Sequence, residues 1–178
     1  MFYYYGVIIH NLKQFMILKV KNKDTLLVDD FNFKCSIGKR GLKKSKKEGD
    51  KCTPIGLFSL GKIYYRPDRL DKPDTNLKII PIKRNMGWCD DPKSKYYNRE
   101  IRLPSKARHE KLYKKDHSYD LLLVINYNTT KTIPYKGSAI FLHLTSNYKK
   151  TNGCIAVSRK DLYIILKLIN KKSKIKIY

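Results

Sequence analysis

The sequence predicts a mostly β fold with one short helix late in the chain. Three observations carry this reading. Short apolar runs recur along the chain, each bounded by turn-forming residues. Five prolines (Pro67, Pro73, Pro81, Pro92 and Pro104) fall between Arg66 and His117, a density that prevents long helices there. One stretch, Asp161 to Asn170, spaces its apolar residues Leu162, Ile165, Leu166 and Ile169 at the helical period. Ser158, three residues before Asp161, is placed to cap it.

The elements follow in order. Met1 to Leu18 is apolar and aromatic, but it lacks a basic leading segment and a small-residue cleavage site, and His10, Asn11 and Lys13 interrupt it. It therefore does not read as an export signal. A strand starts at Ile17-Leu18-Lys19-Val20, so residues 1–15 read as an extension and 16–178 as a single domain. Leu26 to Cys35 reads as a hairpin with its turn at Asp29-Asp30. Gly38 to Asp50 is polar, basic and glycine-containing, so it reads as a mobile loop. Thr53-Pro54-Ile55-Gly56 is a turn launching the strand Leu57 to Leu60. The proline-rich middle reads as an irregular insertion, with Trp88 and Tyr96-Tyr97 as its own small core. Tyr119 to Tyr127 is nearly continuous in apolar residues, the mark of a central strand. Ala139 to Leu144 is a second strong strand. The tail Lys174-Ile175-Lys176-Ile177 alternates like an edge strand. No internal repeat is visible.

Length and composition set outer limits. At 178 residues one domain is expected, since a domain usually takes roughly 100–200 residues. Such a length buries enough surface to need no disulfide or metal. Hydrophobic residues at 42% exclude a disordered chain despite a net charge of +24. No apolar run approaches the roughly 20 residues of a spanning helix. The charge comes from 31 Lys and only 8 Arg, spread along the chain. Spread lysines attract any polyanion, but base reading usually needs Arg, Asn or Gln. No specific nucleic-acid function is expected. Abundant Lys, Asn, Ile and Tyr also match A+T-rich codons, so composition bias explains the charge equally well.

The chemistry concentrates late in the chain. Four cysteines are present, with no Cys-x-x-Cys pair and no histidine at zinc-finger spacing, so no metal site is expected. Cys35 sits in an apolar strand and reads as a buried hydrophobe. Cys52 and Cys89 flank turns. Cys154 follows a polar loop and precedes the helix, in Thr151-Asn152-Gly153-Cys154-Ile155-Ala156-Val157. Gly153 beside it permits a positive φ. A cysteine at such a turn has backbone N–H groups near it to stabilise an oxyanion. His143, eleven residues earlier, ends a buried strand. A strand, loop and turn of this length can return the imidazole to the thiol, which needs a base to become a nucleophile. The alternative is that both are packed core residues.

At these residues the chain resembles the L,D-transpeptidase family of the YkuD/ErfK/YbiS type. Phe141-Leu142-His143-Leu144 followed by Thr151-Asn152-Gly153-Cys154-Ile155 is similar to that family's histidine, loop and Ser/Thr-His-Gly-Cys signature. Glu48-Gly49-Asp50-Lys51-Cys52-Thr53-Pro54-Ile55-Gly56-Leu57-Phe58 resembles its Thr-Pro-x-Gly-x-Phe segment. Met86 to Pro92, Tyr97-Asn98 and Gly137 to His143 resemble a proteobacterial branch. The likeness runs from about Cys35 to Leu166.

The resemblance implies a mixed β-sandwich and cysteine-dependent acyl transfer on peptidoglycan stem peptides, without cofactor or metal. Cys154 would be the nucleophile and His143 the general base. The Leu144 carbonyl would orient the imidazole, and amides near Gly153 and Cys154 would form the oxyanion hole. Donor and acceptor would be stem peptides. The positive surface would suit an anionic wall polymer or membrane surface, and the location implied is periplasmic. Two departures stand out. Asn152 occupies the position of the family's usual histidine, and Ala156 that of a frequent arginine. Trp88, Asn98 and Arg99 are candidate groove residues, and Arg99 or Arg102 candidate replacements for the missing arginine. Asn98, Arg99, His109 and His117 lie in polar segments and read as surface or turn residues. Trimming by water in place of an acceptor amine, or a wall-binding module without chemistry, are the alternatives.

Overall fold

Where apolar and polar residues alternate, the period of two sorts the side chains onto two faces, and those faces meet different surroundings. The computed structural model describes residues 16–21 and 23–178. The expected extension at 1–15 lies outside the described residues.

The strands run in order β1 (Ile17–Lys21), β2 (Thr25–Val28), β3 (Phe31–Ser36), β4 (Leu42–Lys43), β5 (Thr53–Pro54), β6 (Gly56–Tyr65) and β7 (Ile79–Pro81). Then come β8 (Met86–Cys89), β9 (Glu100–Arg102), β10 (His109–Lys111), β11 (Leu121–Ile125), β12 (Phe141–Leu144) and β13 (Ile155–Val157). The helix α1 (Arg159–Leu168) and β14 (Lys174–Ile177) complete the set. The fold is mostly β, as expected. The main sheet is mixed and has the order β11-β12-β13-β3-β2-β1-β14-β6-β7. β6 also pairs with β11, so the hydrogen-bonded order returns on itself. β3 and β6 act as corners. β3 pairs β2 through Phe31 to Lys34 and β13 through Cys35 and Ser36. β6 pairs β14 through Gly56 to Ser59 and β11 through Leu60 to Tyr65.

Between the layers lies an aliphatic core. Leu18, Val20, Leu26, Val28, Ile175 and Ile177 from one side meet Leu121, Leu123, Leu142, Ile155 and Val157 from the other. Leu162, Ile165 and Leu166 of α1 join it. Ser158 caps the helix, its hydroxyl accepting from the Asp161 N–H at 3.1 Å. The intervening residues of β11 and β12 face a second, more aromatic cluster of Tyr64, Trp88, Tyr119, Leu122, Val124 and Phe141, which also holds Cys154.

Three expectations are corrected. The tail is an interior strand, since β14 lies between β1 and β6. Its lysines alternate because the outer face of this layer meets water while Ile175 and Ile177 fill the core. The segment from Gly38 to Asp50 is pinned by non-local contacts. The Lys39 N–H donates to the Thr151 carbonyl at 2.9 Å, the Glu48 N–H to the Tyr135 carbonyl at 2.8 Å, and the Gly38 N–H to Thr53 Oγ1 at 2.9 Å, while Lys46 is buried and bonds Asp50 within the segment. The proline-rich middle is not self-contained either. It builds a three-stranded sheet, β10-β8-β9, and Trp88 packs on Phe141 of the main sheet with ring centroids 5.1 Å apart. Tyr97 is buried there, whereas Tyr96 is exposed.

Candidate functional site

β12 and β13 lie side by side and parallel, with Leu142 opposite Ile155 and His143 opposite Ala156. The alternation then places Phe141 and His143 on the face shared with Cys154 and Ala156, while Leu142, Leu144, Ile155 and Val157 point into the aliphatic core. A cavity of about 550 Å³ opens over that face. His143, Leu144, Asn152, Cys154 and Ala156 all line it. Local chain chemistry thus delivers the imidazole and the thiol to one pocket.

The thiol is held from several directions. Cys154 Sγ donates to the Ala139 carbonyl at 3.1 Å and accepts from the Phe141 N–H at 3.4 Å. The Cys154 carbonyl accepts from Thr151 Oγ1 at 2.6 Å and from Thr53 Oγ1 at 3.4 Å. The same Thr151 hydroxyl accepts the Gly153 N–H at 3.1 Å. Gly153 has φ +137, and a Cβ there would stand 2.9 Å from the Cys52 carbonyl oxygen. Glycine is therefore required at 153 both by torsion and by space.

The imidazole is oriented by backbone. His143 Nδ1 lies 2.8 Å from the Leu144 carbonyl oxygen. A carbonyl only accepts, so Nδ1 carries the hydrogen and Nε2 keeps its lone pair. Tyr119 packs edge-on against the ring, with centroids 5.3 Å apart. Lys114 Nζ sits 3.6 Å from the Tyr119 centroid and bonds Glu110 at 2.8 Å.

Burial sets the protonation states. It pushes the Cys154 thiol up to about 12, with the Glu110 carboxylate adding to the effect and the Phe141 N–H opposing it. Burial lowers the His143 imidazole below its ordinary value, against the opposing pull of the Leu144 hydrogen bond. The phenol of Tyr119 is raised well above its usual range, again chiefly by burial. Burial thus favours the neutral form of both the thiol and the imidazole over a preformed ion pair.

Other sequence candidates fall elsewhere. Asn152 is exposed at the pocket edge. Trp88, Asn98 and Arg99 line a separate cavity of about 610 Å³, with Tyr64, Glu100 and Val124. Arg102 is exposed on β9. His109 lines the Cys154 pocket, with Nδ1 2.7 Å from the Ala107 carbonyl oxygen, and His117 is exposed beside Asp120. Sequence reasoning missed Lys46, Glu48, Glu110, Lys114 and Tyr119, which all line the pocket. The closeness of Glu48 and Asp50 to Lys46 in sequence was a readable signal for a charged cluster. The approach of Tyr119 to His143 had none.

The model of the YkuD family, the L,D-transpeptidase catalytic domain, matches residues 5–177. The chain belongs to the YkuD family of L,D-transpeptidase catalytic domains, whose members act on peptidoglycan. Among solved structures the chain is similar to L,D-transpeptidase 1 of Mycobacterium tuberculosis, at 13% identity and a TM-score of 0.43. That likeness covers 91% of this chain and 58% of the other, so the chain spans under two thirds of that protein's length. No curated protein matches the sequence. No helix among the described residues is long and apolar enough to cross a membrane.

Proposed function

We propose that the chain is an L,D-transpeptidase that joins peptidoglycan stem peptides through a thioester on Cys154. The observation that carries this is the shared pocket. His143 opens into it from β12 and Cys154 from the position just before the parallel strand β13, and the Leu144 carbonyl leaves Nε2 of His143 free to take a proton.

The chemistry follows from the resting states. A neutral thiol beside a neutral base reacts by general-base catalysis: Sγ attacks the donor carbonyl as its proton passes to His143 Nε2. The carbonyl oxygen becomes an oxyanion. The Gly153 amide is already donated to Thr151, which leaves the Cys154 amide as the nearby donor. Collapse breaks the peptide bond, and the departing amine of a D-amino acid takes the proton from the imidazolium. A thioester remains. The side-chain amine of a second stem then attacks, its proton passes to Nε2, and the thiol is restored as the cross-link leaves. Asn152 at the rim and Ala156 on the floor leave the anchoring of substrate carboxylates to exposed lysines around the pocket, among them Lys149 and Lys150. The substrate places the work outside the cytoplasm, in the periplasm.

Intact-mass spectrometry with a tetrapeptide stem tests the reading. The expected result is a thioester adduct on Cys154, with release of one D-amino acid and a cross-linked product when an amine acceptor is added. A tripeptide product alone assigns the chain to trimming. A folded protein that binds wall fragments but never forms an adduct overturns the enzyme reading in favour of a binding module.

A further inference from the structure

One buried side chain outside the Cys154 pocket is tied to the thiol through a single residue. Asn98 is 2% exposed, and both ends of its amide are fully used. Its Oδ1 accepts from Trp88 Nε1 at 3.0 Å and from the Ala139 N–H at 3.0 Å. Its Nδ2 donates to the Tyr127 carbonyl at 2.9 Å and to the Asn128 carbonyl at 2.8 Å. Four bonds exhaust the acceptor and donor capacity such a side chain ordinarily uses. Asn98 therefore has nothing left to offer a ligand in the cavity it lines.

Ala139 is the link. Its N–H is held by Asn98, and its carbonyl accepts the Cys154 thiol. Its φ is +52, the left-handed region, which an L-residue adopts only at a cost. Such a torsion persists only where the surroundings impose it. The neighbours on its N-terminal side are anchored too: the Gly137 N–H donates to Tyr97 Oη at 3.0 Å, and Ser138 Oγ donates to Glu48 at 2.8 Å. At residue 139 itself, the anchor on the amide is Asn98.

We propose that Asn98 is a positioning residue for the nucleophile: it locks Ala139 in the left-handed conformation and so holds the Ala139 carbonyl against the Cys154 thiol. The inference deepens the reading of Cys154 as the nucleophile and rests on it. A carbonyl that accepts the S–H favours the neutral thiol and fixes its rotamer, leaving the sulfur lone pairs directed away from that carbonyl. Proton release then occurs when the S–H turns from Ala139 to His143, so premature thiolate formation is suppressed.

The test reads the thiol directly and needs no wall substrate. The pH profile of Cys154 alkylation by iodoacetamide is followed by intact-mass spectrometry in full-length protein, with the other cysteines resolved by peptide mapping. In Asn98→Ala the carbonyl is freed, the neutral thiol loses its acceptor, and alkylation at pH 8 rises about tenfold, equal to one pKa unit. Ala139→Gly added to that variant reaches the left-handed torsion without cost and returns the profile toward wild type. Ala139→Val leaves Asn98 intact but disfavours the torsion, and it shifts the profile in the same direction as Asn98→Ala. It keeps the test available if Asn98→Ala does not fold. Trp88→Phe loosens the same hub without touching Ala139, so it lowers Tm and leaves the profile unchanged. A wild-type profile in Asn98→Ala or in Ala139→Val, or a shifted one in Trp88→Phe, overturns the proposal. Failure of the stem-peptide adduct with these shifts intact would refute the transpeptidase reading alone.

Discussion

Two buried thiols flank one antiparallel ladder of this fold and meet different surroundings. Cys35 on β3 faces Val157 of β13 in the ladder, and Cys154 immediately precedes β13. Burial pushes both up to about 12. Cys35 belongs to the aliphatic core, whereas Cys154 opens into the pocket that holds His143. Burial and acidity do not tell the two sulfurs apart; the cavity shared with His143 does, and on the proposed reading it is what would make Cys154 the nucleophile.

The largest expected effect is the loss of one thiol against the loss of the other. Cys154→Ala should abolish covalent acylation by a carbapenem or stem peptide, while Cys35→Ala should leave the adduct intact; mass spectrometry reads both. A persistent adduct in Cys154→Ala would erase the contrast. Next comes the base. His143→Ala should slow acylation by about 10²–10⁴-fold, the usual worth of a positioned general base, with Tm little changed. Stopped-flow or timed mass measurements check this.

The pH dependence sharpens the contrast further. Burial lowers the folded His143 below its ordinary value of 6.5, so acylation should fall in acid with its midpoint below pH 6.5. Alkylation by a small reagent that uses no base should instead keep climbing with pH toward about 12. Coincident profiles would mean that the imidazole takes no part.

The smallest effect concerns stability. Both thiols are raised in the folded protein, so their contribution is fully present below the unfolded value of 9.0 and is lost as pH rises toward about 12. Denaturant unfolding between pH 9 and 11 should show stability falling by up to about 1.4 kcal/mol per pH unit for each thiol. Cys35→Ala should remove its share of that slope, at a cost of about 1–2 kcal/mol at neutral pH. Both values follow from ΔG measured across the alkaline range.

Much of the fold was legible because its signals are local. The Asp29-Asp30 turn, the apolar run of β11 and the Ser158 cap each need only a few adjacent residues, and each appears where expected. The illegible parts depend on distant partners. β6 continues past Leu60 to Tyr65 because β11 and β7 pair with it, although Gly61 and Lys62 interrupt the pattern. Lysines made β14 look like a border strand because alternation reports one wet face and says nothing of neighbours in the sheet. In the candidate site, Cys154, His143 and Gly153 were legible from spacing and resemblance. Asn98 was found but placed in the wrong setting, because its partners Ala139 and Tyr127 are about 40 and 30 residues away. Lys46 was hidden in a run of lysines whose burial no composition reveals.

The party wall formed by β11, β12 and β13 has one more consequence. β12 presents Leu142 and Leu144 to one room and His143 to the other, so a slip of one position would exchange the tenants. An imidazole would enter the oily compartment, and Leu142 and Leu144 would be turned out toward water. Such a chain would be unstable. Placement of His143 and Cys154 in one pocket is thereby checked by folding itself.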